Sequence, residues 1–284
     1  MGFNFVSTFE HLNVGVTFIK LSVLHIPTVG GMIEVEGLVK KFGSKVAVNG
    51  ISFTVHDGEI YGLLGPNGSG KSTTMKILSG ILRPTRGRVL VGGINVAKDP
   101  IRVKEIVGYV PETPVLYESL TPSELFNFVG GIRGIPKDKL EDRVNYFVRA
   151  FEIEEYLEQF IGTLSFGTQQ KVSLITALLH DPKILVMDES MNGLDPKSAR
   201  ILRELLIEFK RQGKSIVFST HVLPLAEMIC DRVGVIYQGN IIAEGTIEEL
   251  KSKAHEENLE DVFLKLTESK DEVYNIVQAL KEAL

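Results

Sequence analysis

With 284 residues, 44% of them hydrophobic and 24% charged, the chain has the usage of an ordinary globular protein and enough apolar material for one large core or two modest ones. A net charge of −5 offers no basic footprint for nucleic acid, so no nucleic-acid partner is expected. The single cysteine, Cys230, excludes an internal disulfide and fits a reducing compartment. It sits in an apolar helical run, where a buried structural thiol is expected.

Residues 1–31 differ in character from the rest of the chain. Glu10 and Lys20 are their only acidic or basic residues apart from histidine, and the apolar run is interrupted by Gly15, Lys20, His25, Pro27, Gly30 and Gly31. A spanning helix needs roughly 20 apolar residues without such breaks, and no basic segment precedes the run as a secretory signal requires. The segment reads either as an interfacial or disordered arm or as sequence upstream of a start at Met32. The second reading is preferred, because Met32-Ile33-Glu34-Val35 opens the first clean strand.

Ile33 to Leu38 alternates as a strand, and Lys40 to Gly43 reads as a turn. Val46 to Val48 and Ile51 to Val55 flank Asn49-Gly50, a hairpin signal. Residues 33–60 are therefore expected to form an antiparallel layer. Phe42 is either a core aromatic or a ring available to stack on a base.

The apolar strand Ile60 to Leu64 leads into Gly65-Pro66-Asn67-Gly68-Ser69-Gly70-Lys71-Ser72-Thr73, followed by a helix from Ser72 to Leu82. Gly65, Gly70, Lys71 and Ser72 complete the G-x-x-x-x-G-K-[ST] pattern in the strand–loop–helix context it requires. Glycines let the backbone wrap an anion with its N–H groups inward, and the helix N-terminus adds partial positive charge. Lys71 is placed to reach β- and γ-phosphates, and the Ser72 hydroxyl to ligate Mg²⁺.

Gly87 to Val91 and Ile106 to Val110 read as further strands. Thr121-Pro122-Ser123-Glu124 is a capping box with proline at the first helical position. Pro136 to Phe151 is amphipathic through Leu140, Val144, Phe147 and Val148, and Phe151 to Phe160 continues with acidic and aromatic residues. This block reads as a helical insertion in an α/β chain. Leu164-Ser165-Phe166-Gly167-Thr168-Gln169-Gln170-Lys171 opens a helix that runs to His180, stopped by Asp181-Pro182. Ile184 to Met187 is a short apolar strand suited to a parallel sheet covered on both faces, and it ends in Asp188-Glu189. A turn at Asn192 to Pro196, a helix from Lys197 to Lys210 with Gly213 behind it, and a strand from Ser215 to Thr220 ending at His221 come next. Val233 to Tyr237 and Asn240 to Glu244 form a closing hairpin around Gln238-Gly239, and charged helices lie beyond Thr246.

Asp188, Glu189 and His221 thus stand at the C-terminal ends of predicted strands, the edge where open parallel sheets bind ligands. Asp188 offers a carboxylate for the Mg²⁺ shell, direct or through water. Glu189 is suited to polarise an attacking water, and His221 to hydrogen-bond a γ-phosphate. With the glycine loop they make a consistent phosphoryl-transfer site, a chemistry that rests on positioning and charge neutralisation.

In these ordered motifs, over about residues 32–250, the chain resembles the ATP-binding-cassette (ABC) transporter ATPases. Gly65 to Thr73 resembles Walker A, Ile184 to Glu189 Walker B with its catalytic glutamate, Asn192 to Pro196 the D-loop, and His221 the switch histidine. Leu164 to Lys171 stands at the family's signature, and Phe42 at its adenine-stacking aromatic. The resemblance implies an α/β fold with a P-loop NTPase parallel-sheet core, an N-terminal antiparallel layer and a helical subdomain at about 115–180, with a helical appendage at 251–284. It implies a soluble, cytoplasmic, Mg²⁺- and ATP-dependent ATPase held at the inner membrane face by a separate permease subunit, working as a head-to-tail homodimer or heterodimer. Ser165 and Gly167 would then meet the γ-phosphate of the facing subunit. Leu259-Glu260-Asp261-Val262-Phe263-Leu264 resembles the tail of export-type cassettes. The alternative is a non-transport or regulatory ATPase of the same family.

Three departures are visible. Phe166 and Thr168 replace Gly and Gln of the signature, and a bulky ring beside the facing loop is expected to weaken the composite site. Glu112 stands at the glutamine of the Q-loop, where a carboxylate is expected to ligate Mg²⁺ and to make turnover more pH-dependent. Ser190 replaces the proline after the catalytic glutamate, with little effect expected.

Overall fold

The computed structural model describes residues 32–267. Residues 1–31 and the last part of the expected appendage, 268–284, lie outside the described residues.

The first layer is antiparallel. β1 (Ile33–Phe42) pairs with β2 (Lys45–Val55) on one side and β4 (Arg86–Val91) on the other, and β5 (Ile94–Asn95) completes the order β2-β1-β4-β5. The second layer is mostly parallel. β6 (Val107–Val110), β7 (Ile184–Asp188), β8 (Ser215–Thr220), β3 (Ile60–Leu64) and β9 (Arg232–Tyr237) run together, and β10 (Asn240–Thr246) closes the edge antiparallel to β9.

The central strands are buried on both faces, as their unbroken apolar runs require. Successive residues feed different cores. Ile184 and Val186 of β7 join Met75, Ile77 and Leu78 of α1 (Lys71–Leu78) and Val35, Phe53 and Val89 of the antiparallel layer. Leu185 and Met187 face the opposite way, toward the helical block. There α3 (Pro122–Ile132), α4 (Lys137–Ala150) and α5 (Phe166–Leu178) contribute Leu125, Phe126, Leu140, Val148, Val172 and Ile175, with Leu202, Leu206 and Phe209 of α6 (Pro196–Arg211) in the same core. α8 (Ile247–Ala254) and α9 (Leu259–Leu266) bury Ile247, Leu250, Leu259 and Val262 with Leu223 and Ala226 of α7 (Leu223–Ile229). Among the described residues no helix is long and apolar enough to cross a membrane.

Several expectations are corrected. Asn49-Gly50 is not a hairpin turn but lies inside β2, and the predicted turn at Lys40 to Gly43 is shifted, since β1 continues through Phe42 and the chain reverses at Gly43-Ser44. Leu38 pairs with Ile51 and Val39 with Asn49, which leaves Gly50 as the extra residue of a bulge at φ 77°. A left-handed glycine serves a bulge as well as a turn. The Asn49 N–H donates to Gly239 O at 2.8 Å, so the bulge ties β2 to the β9–β10 turn, which does form at Gln238-Gly239.

The first helix stops at Leu78 rather than Leu82, because Gly80 turns left-handed at φ 67° and the Ile81 N–H closes onto Lys76 O. Residues after Ala150 form two short 3-10 turns instead of a continued helix, and α5 ends two residues before His180. α2 (Pro100–Ile106), capped by Asp99, was missed although Asp99-Pro100 carries its signal. Cys230 caps the C-terminal end of α7, and burial pushes its thiol pKa far up, as a structural cysteine requires.

Candidate active site

The parallel register brings the ends of four strands side by side. Leu64 pairs with Thr220, Asp188 with Ser219 and Val110 with Met187, so the chain leaves β3, β8, β7 and β6 along one edge. The glycine loop, His221, Glu189 and Glu112 all emerge there.

The loop fits only around glycine at its two ends. A Cβ on Gly65 would lie 2.2 Å from Ile236 O, and one on Gly70, at φ 112°, would lie 2.6 Å from Ala47 O. Gly70 is the N-cap of α1 with no side-chain cap, so the first-turn N–H groups face the loop. The Lys71 ammonium folds back into the loop, donating to Gly65 O at 2.7 Å and Pro66 O at 3.1 Å, and stands 3.0 Å from Glu189 Oε1. Both charged side chains are only 4% exposed, which leaves each dependent on the other. Inside the same loop Ser69 carries a buried hydroxyl without a hydrogen-bond partner among the described residues.

Ser72 Oγ donates to Asp188 Oδ1 at 3.1 Å, and Ser219 Oγ donates to the same oxygen at 2.6 Å. Burial pushes the Asp188 carboxyl up, and these two hydroxyls oppose that rise. A hydroxyl beside a carboxylate, next to a phosphate-binding loop, is a hard-oxygen donor set of the kind Mg²⁺ uses with one or two protein ligands and substrate phosphates. Glu189 comes next, in a left-handed backbone conformation, φ 46°, that costs a non-glycine residue about 1–3 kcal/mol. Its N–H is held by Ser219, at 3.1 Å from both the carbonyl and the hydroxyl oxygen. Its Oε2 meets His221 Nδ1 at 2.5 Å. Burial raises the Glu189 carboxyl, but Lys71 and His221 more than offset it and hold the group below the ordinary range.

A cavity of about 400 Å³ runs over the loop, walled by Phe42, Lys45, Asn67, Lys71, Thr73, Glu112 and Glu189. Phe42 is 48% exposed at its mouth, so it is not a core aromatic, and the Lys40 ammonium lies 5.0 Å from its ring centre. Glu112 lines this cavity and also a larger groove of about 720 Å³ that shares Ser72 and Asp188 with the site. Thus Phe42, Gly68, Gly70, Lys71, Ser72, Thr73, Asp188, Glu189, His221 and Glu112 converge. Ser165 and Gly167 do not: they stand at the start of α5, where Ser165 Oγ accepts from the Thr168 N–H at 3.2 Å, and neither lines the cavity.

Ser219 escaped the sequence reading, and two residues of stretches that it did single out make contacts it did not foresee. Ser219 is a polar residue inside an apolar strand, a signal that was present. Gln170 is fully buried and donates to Ser190 O at 2.9 Å and Pro111 O at 3.4 Å, joining α5 to the segments after β7 and β6. Asn192 Nδ2 approaches Glu189 Oε2 at 3.5 Å. Both lie in stretches that the sequence marked, Leu164 to Lys171 and Asn192 to Pro196, but their partners are set by the fold.

Known proteins resemble this chain in sequence and in fold. A family model described as ABC transporter matches residues 48–192. An ABC transporter ATP-binding protein of Methanocaldococcus jannaschii is 38% identical over 221 residues, covering 78% of this chain and 80% of that protein. The linearmycin resistance ATP-binding protein LnrL of Bacillus subtilis is 35% identical over 222 residues, covering 78% and 71%. An ATP-binding cassette solved as a dimer in a post-hydrolysis state with ADP and Pi superposes with a TM-score of 0.69 at 25% identity, over 76% of this chain and 98% of that one.

Proposed function

The chain belongs to the ABC transporter family as an ATP-binding, ATP-hydrolysing cassette, and from that premise we propose that it is the Mg²⁺-dependent ATPase subunit of an exporter. The observation that carries the catalytic part is the linked set Lys71–Glu189–His221 and Ser72–Asp188–Ser219 on one sheet edge.

In this reading the loop N–H groups and Lys71 neutralise the β- and γ-phosphates, and Phe42 stacks on the base. Ser72 and Asp188 hold Mg²⁺, with Glu112 at the cavity wall, and the ion when bound screens charge on the phosphate oxygens. Glu189 accepts a proton from the attacking water, while His221 fixes the orientation of that carboxylate beside the γ-phosphate. Ser165 and Gly167, absent from their own chain's cavity, complete the site of a second cassette in a head-to-tail dimer. The relative solved as a dimer supports the pairing of two cassettes.

The permease partner fits the larger groove. Its lining includes the exposed Val115 (85%) and Ile132 (68%), together with Ser72 and Glu112. A helix seated there would touch residues that also wall the nucleotide cavity. The export direction is supported by the resistance-type relative and by the Leu259–Leu264 resemblance. On this reading residues 32–250 are the ATPase unit, 115–180 its helical subdomain and 251–284 an appendage.

The test is Mg²⁺-dependent ATP hydrolysis across protein concentrations, beside Glu189→Gln. Specific activity should rise with concentration, and the variant should lose about 10²–10⁴-fold in kcat. Flat, negligible activity in a chain that still binds ATP would refute the homodimeric form.

A further inference from the structure

One face of α5 is fastened to the segment that begins at Glu189. Phe166, Gly167, Gln170 and Lys171 share that face by helical spacing. A Cβ built on Gly193 would lie 2.6 Å from both Cδ1 and Cε1 of Phe166, so the ring edge occupies the space a side chain at 193 would need. Gly193 is also left-handed, at φ 80°, where a side chain would be strained. A Cβ on Gly167 would lie 2.7 Å from Gly193 O. Gln170 donates to Ser190 O at 2.9 Å, and Lys171 Nζ stands 2.8 Å from Asp195 Oδ2.

The segment itself has weak internal bonds. The Asn192 N–H reaches Glu189 O at 3.2 Å, and the Leu194 N–H reaches Met191 O at 3.4 Å. Between Glu189, held at φ 46° with its N–H on Ser219, and Asp195, which caps α6, the segment is tied to α5. Phe166 is 47% exposed, yet one edge of its ring is turned onto Gly193 of its own chain.

We propose that Phe166 is a positioning residue: its ring, seated on Gly193, latches the Glu189–Pro196 segment to the start of α5, so that nucleotide engaging that start from a facing subunit sets the geometry of Glu189 in the same chain. The second half rests on the dimeric ATPase reading above; the latch itself does not. The chain thereby links two ATP sites within one polypeptide. One site is touched by the start of α5, and the other is served by Glu189.

Two measurements on the full chain test this. The first is amide hydrogen exchange on wild type, Phe166→Ala and Phe166→Leu. In Phe166→Ala the Asn192 and Leu194 amides should exchange about five- to tenfold faster through local opening, and Phe166→Leu should restore most of the protection. Unchanged exchange overturns the latch. The second uses dimers of two differently tagged full chains, one carrying Glu189→Gln, so that a single Glu189 works. Phe166→Ala on the chain that keeps Glu189 should lower kcat about fivefold with KM for ATP unchanged, and Phe166→Leu should recover it. A loss that instead tracks the Glu189→Gln chain, or no loss from either, overturns the coupling. If wild type shows neither ATP-dependent dimers nor hydrolysis, the functional reading fails, and the exchange experiment still decides the latch.

Discussion

Ser219→Ala tests the hydroxyl that joins Asp188 to the Glu189 backbone at the centre of the site. The change removes a single oxygen and leaves the backbone of a fully buried strand in place, so no sizeable cavity forms. It removes the 2.6 Å bond to Asp188 Oδ1. The Glu189 N–H loses its 3.1 Å bond to Ser219 Oγ but keeps the one to Ser219 O, so the main loss falls on the carboxylate. A hydrogen bond to a charged group contributes about 1.5–3 kcal/mol, which at about 2–4 °C per kcal/mol for a chain of this size lowers the melting temperature by about 3–12 °C. The loss should depend on pH. The native Asp188 carboxyl lies above its unfolded value because burial outweighs its hydroxyl partners. Removing one partner raises it further, so the variant is destabilised in full only where Asp188 is ionised. The difference from wild type should therefore be largest at neutral pH and shrink as pH falls through the carboxylate range. Thermal unfolding of both proteins from pH 4 to 8 measures it. A difference below about 0.5 kcal/mol at neutral pH, or one that grows on acidification, would refute the assignment of Ser219 as the stabiliser of a charged Asp188.

The same geometry sets three further outcomes. Gly65→Ala places a Cβ 2.2 Å from Ile236 O, so equilibrium binding of a fluorescent ATP analogue should be lost while circular dichroism keeps the overall helix content. His180 is half-buried, with Nε2 bonded to Val107 O, and burial holds its pKa at about 4 against 6.5 for a free imidazole. Between those values the unfolded chain binds the extra proton, so stability falls as pH drops from about 6.5 to about 4, and His180→Gln should flatten that slope in the melting temperature. Val115→Asp, on the groove rim, should leave ATP hydrolysis by the isolated chain unchanged and weaken its co-purification with the permease; an unaltered complex would remove the groove as the docking surface.

The glycine loop, the strand-ending Asp188-Glu189 and the capping box at Thr121 were legible in the sequence because each is a local device. Loop, strand and helix succeed one another within a few residues, and the chemistry needs those residue types at that spacing. Periodicity likewise exposed the buried strands and the amphipathic helices. Asn49-Gly50 was misread for the complementary reason. A left-handed glycine is compatible with both a turn and a bulge, and only the partners, Leu38 and Val39 of β1 and Gly239 beyond β9, decide between them.

Long-range register decided the rest. Pairing Asp188 with Ser219 put a hydroxyl on the carboxylate 31 residues away, and pairing Leu64 with Thr220 set the glycine loop beside His221. The composition of the signature stretch suggested that Phe166 crowds the facing site. The fold also sets its ring against Gly193 of the same chain, where that glycine's missing side chain leaves room for it. Sequence thus determined which chemical groups the protein possesses and which short segments present them. The tertiary structure alone determined which groups touch, since contact across tens to more than a hundred residues depends on strand order, register and packing that no local pattern encodes.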